Sequence, residues 1–294
     1  MAVAAAPHHR RRALQLGFRL GTYLALLLVV GPAGWLLVSV VARAAPHWQW
    51  SVLWTQGHGT GGGLLNAIVG TLILMLGVFL IAGTIGVLAG IHLSELARPR
   101  RNGKPSGALL RTASDVLSGF PSIVLGYVGY VALVVGLHWG FSLLPALIIL
   151  SIMVIPYIAK STESALRQVP TNYREGAEAL GMSTGYALRK VVLKTALPGI
   201  VTGLLLALAI ASGETAPLIY TAGWTTQVPG GQLTGSHGFP YLTYPVFNFY
   251  DQANNSAHYL AFDAALLLVV LIALLLVASR IIVARTQRNS EGRR

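Results

Sequence analysis

Two carboxylates stand where their neighbours should not tolerate them. Glu214 lies within the apolar run Gly199 to Ala222, and Asp263 within the run Tyr259 to Val283. A charged group inside a run long enough to cross a bilayer is costly unless it faces a partner or water, so such residues mark routes for ions, protons or polar cargo. Glu214 is followed by Thr215 and Pro217, and a proline in a spanning helix frees a carbonyl and permits a kink. Counted from Gly199 at about 1.5 Å per residue, Glu214 lies roughly 22 Å along its helix. A carboxylate repels an anionic cargo. Glu214 therefore suits a structural or gating pair with a cation from another subunit, a proton-bearing acceptor for a protonated anion, or hydrogen-bonded helix glue. A second group, Ser118, Gly119, Pro121, Ser122 and Gly126, combines small residues with hydroxyls. Small residues let helices approach closely. Unwinding at Pro121 would instead turn freed backbone N–H groups and the Ser122 hydroxyl toward a passing anion. Asp263 has no role that the sequence specifies.

Other chemistries fail on spacing. An intramembrane serine protease needs Gly-x-Ser-Gly, but Val116 and Ile210 occupy the first position ahead of Ser118-Gly119 and Ser212-Gly213. A nucleotide-binding loop ends in Gly-Lys-Ser/Thr, and the only Gly-Lys pair, Gly103-Lys104, precedes Pro105. The chain is expected to have no catalytic residue and to bind no cofactor or metal. The absence of cysteine removes disulfides and thiolate metal sites. A net charge of +12 raises nucleic acid as a partner, but topology and anionic lipid headgroups account for the same charges, so none is expected.

The elements that must carry these residues are membrane helices. Hydrophobic residues make up 54% of the chain and charged ones 10%, against about 25% charged in soluble domains, and mean hydropathy is +0.64. Besides the two runs above, Leu20 to Val41, Leu64 to Leu93, Val116 to Leu137 and Phe141 to Ala159 approach or exceed the roughly 20 residues that span a hydrocarbon core. The second of the six is long enough to require tilt or an entry segment. The basic start before the first suggests a cleaved leader, but the run exceeds the usual apolar length and no persuasive cleavage site follows, so it is read as a helix. Of the 21 basic residues, only Arg43 falls outside the N-terminal segment, the second and fourth connections and the C-terminal end. By the positive-inside bias both termini are cytoplasmic. The expected organisation is a cytoplasmic tail over 1–19, an all-α polytopic domain of six transmembrane helices over 20–283, and a second tail over 284–294.

Two connections exceed a simple turn. The outer one, 223–258, has no Lys or Arg and carries Trp224, Phe239, Tyr241, Tyr244, Phe247, Phe249 and Tyr250. An aromatic belt at the membrane interface explains them, with a docking surface for an extracytoplasmic partner as the alternative. Trp48, Trp50 and Trp54 fit the same belt. The inner connection, 160–198, begins as an exiting helix in which Ala165, Leu166, Val169, Tyr173, Ala177 and Leu180 recur at steps of three or four. Pro170 breaks the pattern, Thr171 can cap a second short helix with Arg174 and Glu175 in its first turn, and Gly181 stops it.

That short helix carries a resemblance. Glu175-Gly176-Ala177-Glu178-Ala179-Leu180-Gly181, followed by Val191 and by Leu197-Pro198-Gly199, is similar to the EAA loop of ABC importer permeases. Glu175, Ala177, Gly181 and Val191 fall on that family's pattern. Gly176 replaces an Ala, Lys194 stands where many members have the first Pro, and the Leu-Pro comes three residues later. Ser118-Gly119-Phe120-Pro121-Ser122-Ile123-Val124-Leu125-Gly126 and Gly213-Glu214-Thr215-Ala216-Pro217-Leu218 resemble signatures of the PstA-type permeases of phosphate-specific ABC importers.

The resemblance implies a type I ABC importer permease fold, with a coupling helix at Glu175, Gly176, Ala177 and Gly181 seated on an ATPase subunit. It implies phosphate as cargo, with molybdate or sulfate as the nearest rivals, and a pathway or gate that includes Ser118, Pro121, Ser122, Glu214, Thr215 and Pro217. The implied partners are a second, PstC-type permease, two PstB-type ATPase subunits that bind the ATP and Mg, and an extracytoplasmic PstS-type phosphate-binding protein, all at a bacterial inner membrane. In this subfamily an Arg often lies four residues before the Glu. Here that residue is Ile210, so a cation is expected from the partner permease instead. A stand-alone secondary transporter is the rival outside the class; such folds often carry internal repeats, and the two halves show no convincing one.

Overall fold

A computed structural model describes residues 8–96, 107–231 and 233–291. Arg98, Arg100, Arg101, Gly103, Lys104, Pro105, Arg293 and Arg294, which entered the topology and nucleotide arguments, lie outside the described residues. Met1–Trp48 and Gln49–Arg294 are separate units. The first is α1 (His8–Ala44), with Pro32 inside it, closed by the tight turn Ala45–His47. Leu24, Leu27, Leu28, Trp35 and Leu36 are all exposed along it. Apolar surface on every side is what a helix immersed in hydrocarbon presents.

The second unit opens with a 3-10 turn at Trp50–Leu53 and a small antiparallel hairpin, β1 (Gly57–His58) and β2 (Gly61–Gly62). Then come α2 (Leu65–Ile91), running on into a π-helical turn at His92–Leu96, α3 (Ala108–Gly119), and α4 (Ser122–Gly129) with a π-helical continuation to Gly136. They are followed by α5 (Leu143–Arg167), α6 (Thr171–Ala179), α7 (Thr184–Ala187) and a π-helical turn leading into α8 (Leu193–Ser212). Last are α9 (Ala216–Thr221), α10 (Thr243–Asn248) and α11 (Asn255–Glu291).

The central element is α5, which buries Leu147, Leu150, Val154 and Ile158 in the main apolar cluster. In lipid, burying such residues gains little from leaving water, so helices associate by close packing. Glycines supply it: a Cβ on Gly86 of α2 would lie 2.7 Å from Ile158 Cβ, and one on Gly199 of α8 would lie 2.8 Å from Ala165 Cβ.

Among the described residues, five helices are long and apolar enough to cross a membrane, and the pair Ala108–Gly119 and Ser122–Gly136 makes a sixth if counted as one span. That pair bends by 99°, so the continuous run expected from Val116 to Leu137 is two segments. The cause is local. Pro121 lacks an N–H and disfavours helical backbone in the residue before it; Phe120 sits at ψ 134° and Pro121 at ψ 132°. The fifth run also differs from expectation, since α8 stops at Ser212 and α9 starts at Ala216. Glu214 therefore lies in a break rather than along a continuous helix.

The outer connection folds inward instead of lying as a belt. Trp224 stacks on Tyr244 at 4.4 Å and meets Phe249 edge-on at 6.0 Å. Phe239, Tyr241 and Phe249 are buried, and of the seven aromatics only Phe247 and Tyr250 are exposed. Leu144 N–H bonds Leu233 O at 2.9 Å, Gly238 N–H bonds Phe141 O at 3.0 Å, Phe239 N–H bonds Ala222 O at 2.9 Å, and Leu242 N–H bonds Thr71 Oγ1 at 2.9 Å. The segment is thus tied to α2, to the start of α5 and to the end of α9.

Candidate functional site

The two broken segments meet. α4 packs on α9 with no side chain between them at Gly126: a Cβ there would lie 2.6 Å from Pro217 Cα and 3.3 Å from Ala216 O. At the start of α4, Ser122 lies near the Glu214 carboxyl group. The two motifs singled out in the sequence therefore form one site. Glu214 is half-buried; its N–H bonds Ala211 O at 3.3 Å, and its carbonyl accepts from Thr243 Oγ1 at 2.9 Å. Thr215 caps the break at φ −116°, ψ −48°, and Pro217 follows in the first turn of α9, where its missing N–H would be unpaired anyway. The Pro217 carbonyl accepts from Thr221 Oγ1 at 2.7 Å.

Among the described residues, no Lys or Arg forms an ion pair with Glu214. Ile210 is half-buried against the main apolar cluster, so its position carries packing rather than charge. A cleft of about 720 Å³ adjoins the break, bordered by Gly213, Thr215, Thr243, Phe247 and Asp251.

Ser118 stands apart from this meeting point, on the other side of the bend. It closes the last turn of α3, donating to the Ser114 carbonyl and accepting from Lys160 Nζ at 2.8 Å. Lys160 also pairs with Asp115 at 2.8 Å. Pro121 sits at the N-terminal boundary of α4. On α4, Ile123, Tyr127 and Val128, and in its π-helical continuation Val131, are exposed among the described residues.

The remaining sequence-selected residues lie on α6. Pro170, not Thr171, occupies the position ahead of this helix, and no side chain caps it. Proline's fixed φ suits that boundary, which places Thr171 one residue inside and Glu175 in mid-helix rather than in the first turn. Its end is as the glycine pattern specifies: Gly181 has φ +76°, a region that costs other residues strain. Gly181 N–H bonds Glu178 O at 2.9 Å and Met182 N–H bonds Ala177 O at 3.1 Å, the two bonds of a Schellman motif. Ala177 is buried, whereas Glu175, Gly176 and Gly181 are exposed beside Tyr173 and Leu180.

Residues the sequence pattern did not single out hold this end together. Arg174 forms a two-pronged pair with Glu95 at 2.6 and 2.8 Å. Arg111 bonds Glu163 Oε1 at 2.9 Å and the Leu93 carbonyl at 3.0 Å, and Arg167 reaches the same carboxylate at 2.6 Å. These partners lie up to 79 positions apart, beyond any periodicity. The other intramembrane acid, Asp263, is 3% exposed in α11, and its Oδ1 has no hydrogen-bond partner among the described residues.

Residues 82–288 match the family of binding-protein-dependent transport system inner membrane components. The chain is 58% identical over 257 residues to a phosphate transport system permease protein PstA 2 of Mycobacterium bovis, covering 87% of this chain and 83% of that one. It is 32% identical to a probable phosphate transport system permease protein PstA of Methanocaldococcus jannaschii, covering 83% and 85%. Among solved structures, a chain from the inward-facing MetNI methionine ABC transporter aligns at TM-score 0.51 and 26% identity, covering 76% of this chain and 94% of that one.

Proposed function

The chain belongs to the binding-protein-dependent transport-system inner-membrane components, as a PstA-type permease, and from that premise we propose that it forms half of the pathway of an ABC importer for inorganic phosphate. The observation that carries the cargo is the 58% identity to a phosphate permease over 87% of the chain. Residues 20–283 cross the inner membrane six times, with the bent α3–α4 pair as the third crossing and both tails in the cytoplasm. A homologous PstC-type permease forms the other half. It also supplies a cation to Glu214, which forms no ion pair among the described residues.

ATP with Mg is bound and hydrolysed on two PstB-type subunits, and a PstS-type binding protein delivers phosphate from outside. Ser118, Pro121, Ser122, Glu214, Thr215 and Pro217 line or gate the pathway. Because Gly126 lies directly on Pro217, the two broken segments move together. Glu175, Gly176, Ala177 and Gly181 shape the coupling helix. Its exposed Tyr173 and Leu180 beside Glu175 and Glu178 form an apolar patch with an acidic rim, the composition of a docking face. Closure of the ATPase pair displaces α6 and reorients the membrane core between outward and inward access.

Reconstitution of the four components in liposomes tests this reading. Labelled phosphate should accumulate only with ATP and binding protein, and excess sulfate or molybdate should not compete. Equal competition by either oxyanion would remove phosphate as the cargo, and uptake by this chain alone without ATP would make it a stand-alone transporter.

A further inference from the structure

A line of groups ties the coupling helix to the membrane bundle. Ala177 is buried on its inner face. One turn earlier, the Arg174 guanidinium grips both oxygens of Glu95 at 2.6 and 2.8 Å. The two side chains are 16% and 11% exposed, so solvent screens the pair less than a surface one. The planar fork makes it directional: an Arg–carboxylate pair with two parallel bonds resists rotation as well as separation. Glu95 belongs to the π-helical turn that ends α2, and Ser94 Oγ donates to its Oε1 at 3.0 Å.

One residue before Ser94, the Leu93 carbonyl accepts from Arg111 of α3, and the same guanidinium bonds Glu163 of α5. α3 then leads through the bend at Phe120 and Pro121 to Ser122, which lies near Glu214. Each link is a charge-assisted bond, a rigid helix or two residues of extended backbone.

We propose that the Arg174–Glu95 pair is the mechanical joint that transmits displacement of α6 to the end of α2 and, through Arg111, to the α3–α4 bend that carries Ser122. Arg174 and Glu95 act as positioning residues, since neither touches cargo or nucleotide. The inference rests on the reading of α6 as the docking helix, and the two are tested separately. A ligand-free joint that only held the fold would lose hydrolysis and transport together. A transmitting joint loses the ratio between them.

The test uses the full importer in liposomes, measuring phosphate moved per ATP hydrolysed, with Gly176→Cys as a cross-linking site to the ATPase. Gly176 is exposed and a Cβ there meets nothing within 4 Å. Failure to cross-link would sink the docking reading and the joint with it. With cross-linking intact, Arg174→Gln and Glu95→Gln should each retain ATP hydrolysis while transport per ATP falls by about tenfold, the order of a typical coupling factor between sites. Arg174→Lys, which keeps the charge without the fork, should fall between. The double exchange Glu95→Arg with Arg174→Glu should recover a substantial part of the ratio. An unchanged ratio in both single variants would overturn the joint, as would failure of the exchange to recover it. Should the single variants not assemble, the exchange alone decides, by restoring both assembly and ratio or by failing to.

Discussion

Gly126 and Gly119 belong to one motif, yet the structure assigns them opposite sensitivities. A Cβ on Gly126 would stand 2.6 Å from Pro217 Cα, whereas carbon atoms rest at about 3.5–4.0 Å, so α4 and α9 must part by about 1 Å. The obstacle is backbone, which cannot swing aside. Overpacking of this kind costs about 1–3 kcal/mol, and replacing a helical glycine with alanine returns about 0.8–1.0 kcal/mol. Gly126→Ala is therefore expected to destabilise the protein by roughly 0–2 kcal/mol on these terms, little enough to leave it in the membrane. The same separation draws Ser122 away from Glu214, so phosphate uptake per unit of membrane protein should fall at least tenfold. Gly126→Val should also lower abundance. A Cβ on Gly119 meets nothing within 4 Å, and Gly119→Ala should transport normally. Uptake measured over minutes, normalised by immunoblot, decides the matter. A Gly126→Ala protein as active as wild type, or a Gly119→Ala protein that loses uptake at normal abundance, would refute the packing argument.

Four further outcomes are expected. On the proposed pairing with a cation of a partner permease, Glu214→Gln leaves that cation unpaired, at a cost of about 3–5 kcal/mol for a buried pair, so uptake should drop steeply at normal abundance; a fully active Glu214→Leu protein would show that the carboxylate has no role. Gly181→Val places a β-branched residue at φ +76°, worth about 1–2 kcal/mol of strain, and should loosen the end of α6 enough to reduce ATPase retention on a tagged permease; full retention would count against the docking role. Glu175→Lys reverses the charge at an exposed position midway along α6, on the proposed docking face, and should abolish uptake with the protein still present in the membrane, unlike a variant that simply misfolds. Finally, a cysteine at exposed Gly231 should react with an impermeant thiol reagent from outside intact cells and one at Gly103 should not; labelling at Gly103 would invert the orientation.

Much of this was legible in the residue order, for physical reasons that differ by element. Most spans were readable because a helix must be long and largely apolar to cross a hydrocarbon core, and the helix at Thr171–Ala179 was readable because Pro170 and Gly181 constrain the backbone at either end. The identity of the paired motifs was visible, but not that they meet. Pro121 signalled a break, whereas its 99° angle depends on what α3 and α4 pack against. The outer aromatics misled because a ring suited to a membrane interface is equally suited to an interior stack, and only the neighbours of Trp224 and Tyr241 distinguish the two. Arg174 and Arg111 were readable as basic residues on one side of the membrane. Their partners Glu95 and Glu163 come from other helices, and no local rule joins them.

The stretch from Gly238 to Tyr244 has a consequence for exchange of amide protons with solvent. It has little repeating structure, yet Gly238, Phe239 and Leu242 each give their N–H to a fixed acceptor on another part of the chain, and Tyr241 is 1% exposed. Protection from deuterium follows the free energy of opening, not the helical label. These amides can open only if the contacts to Thr71, Phe141 and Ala222 open as well, so in deuterated buffer the segment should exchange as slowly as the interior of α5, while the exposed tip at Gly230 and Gly231, earlier in the same loop, exchanges at once.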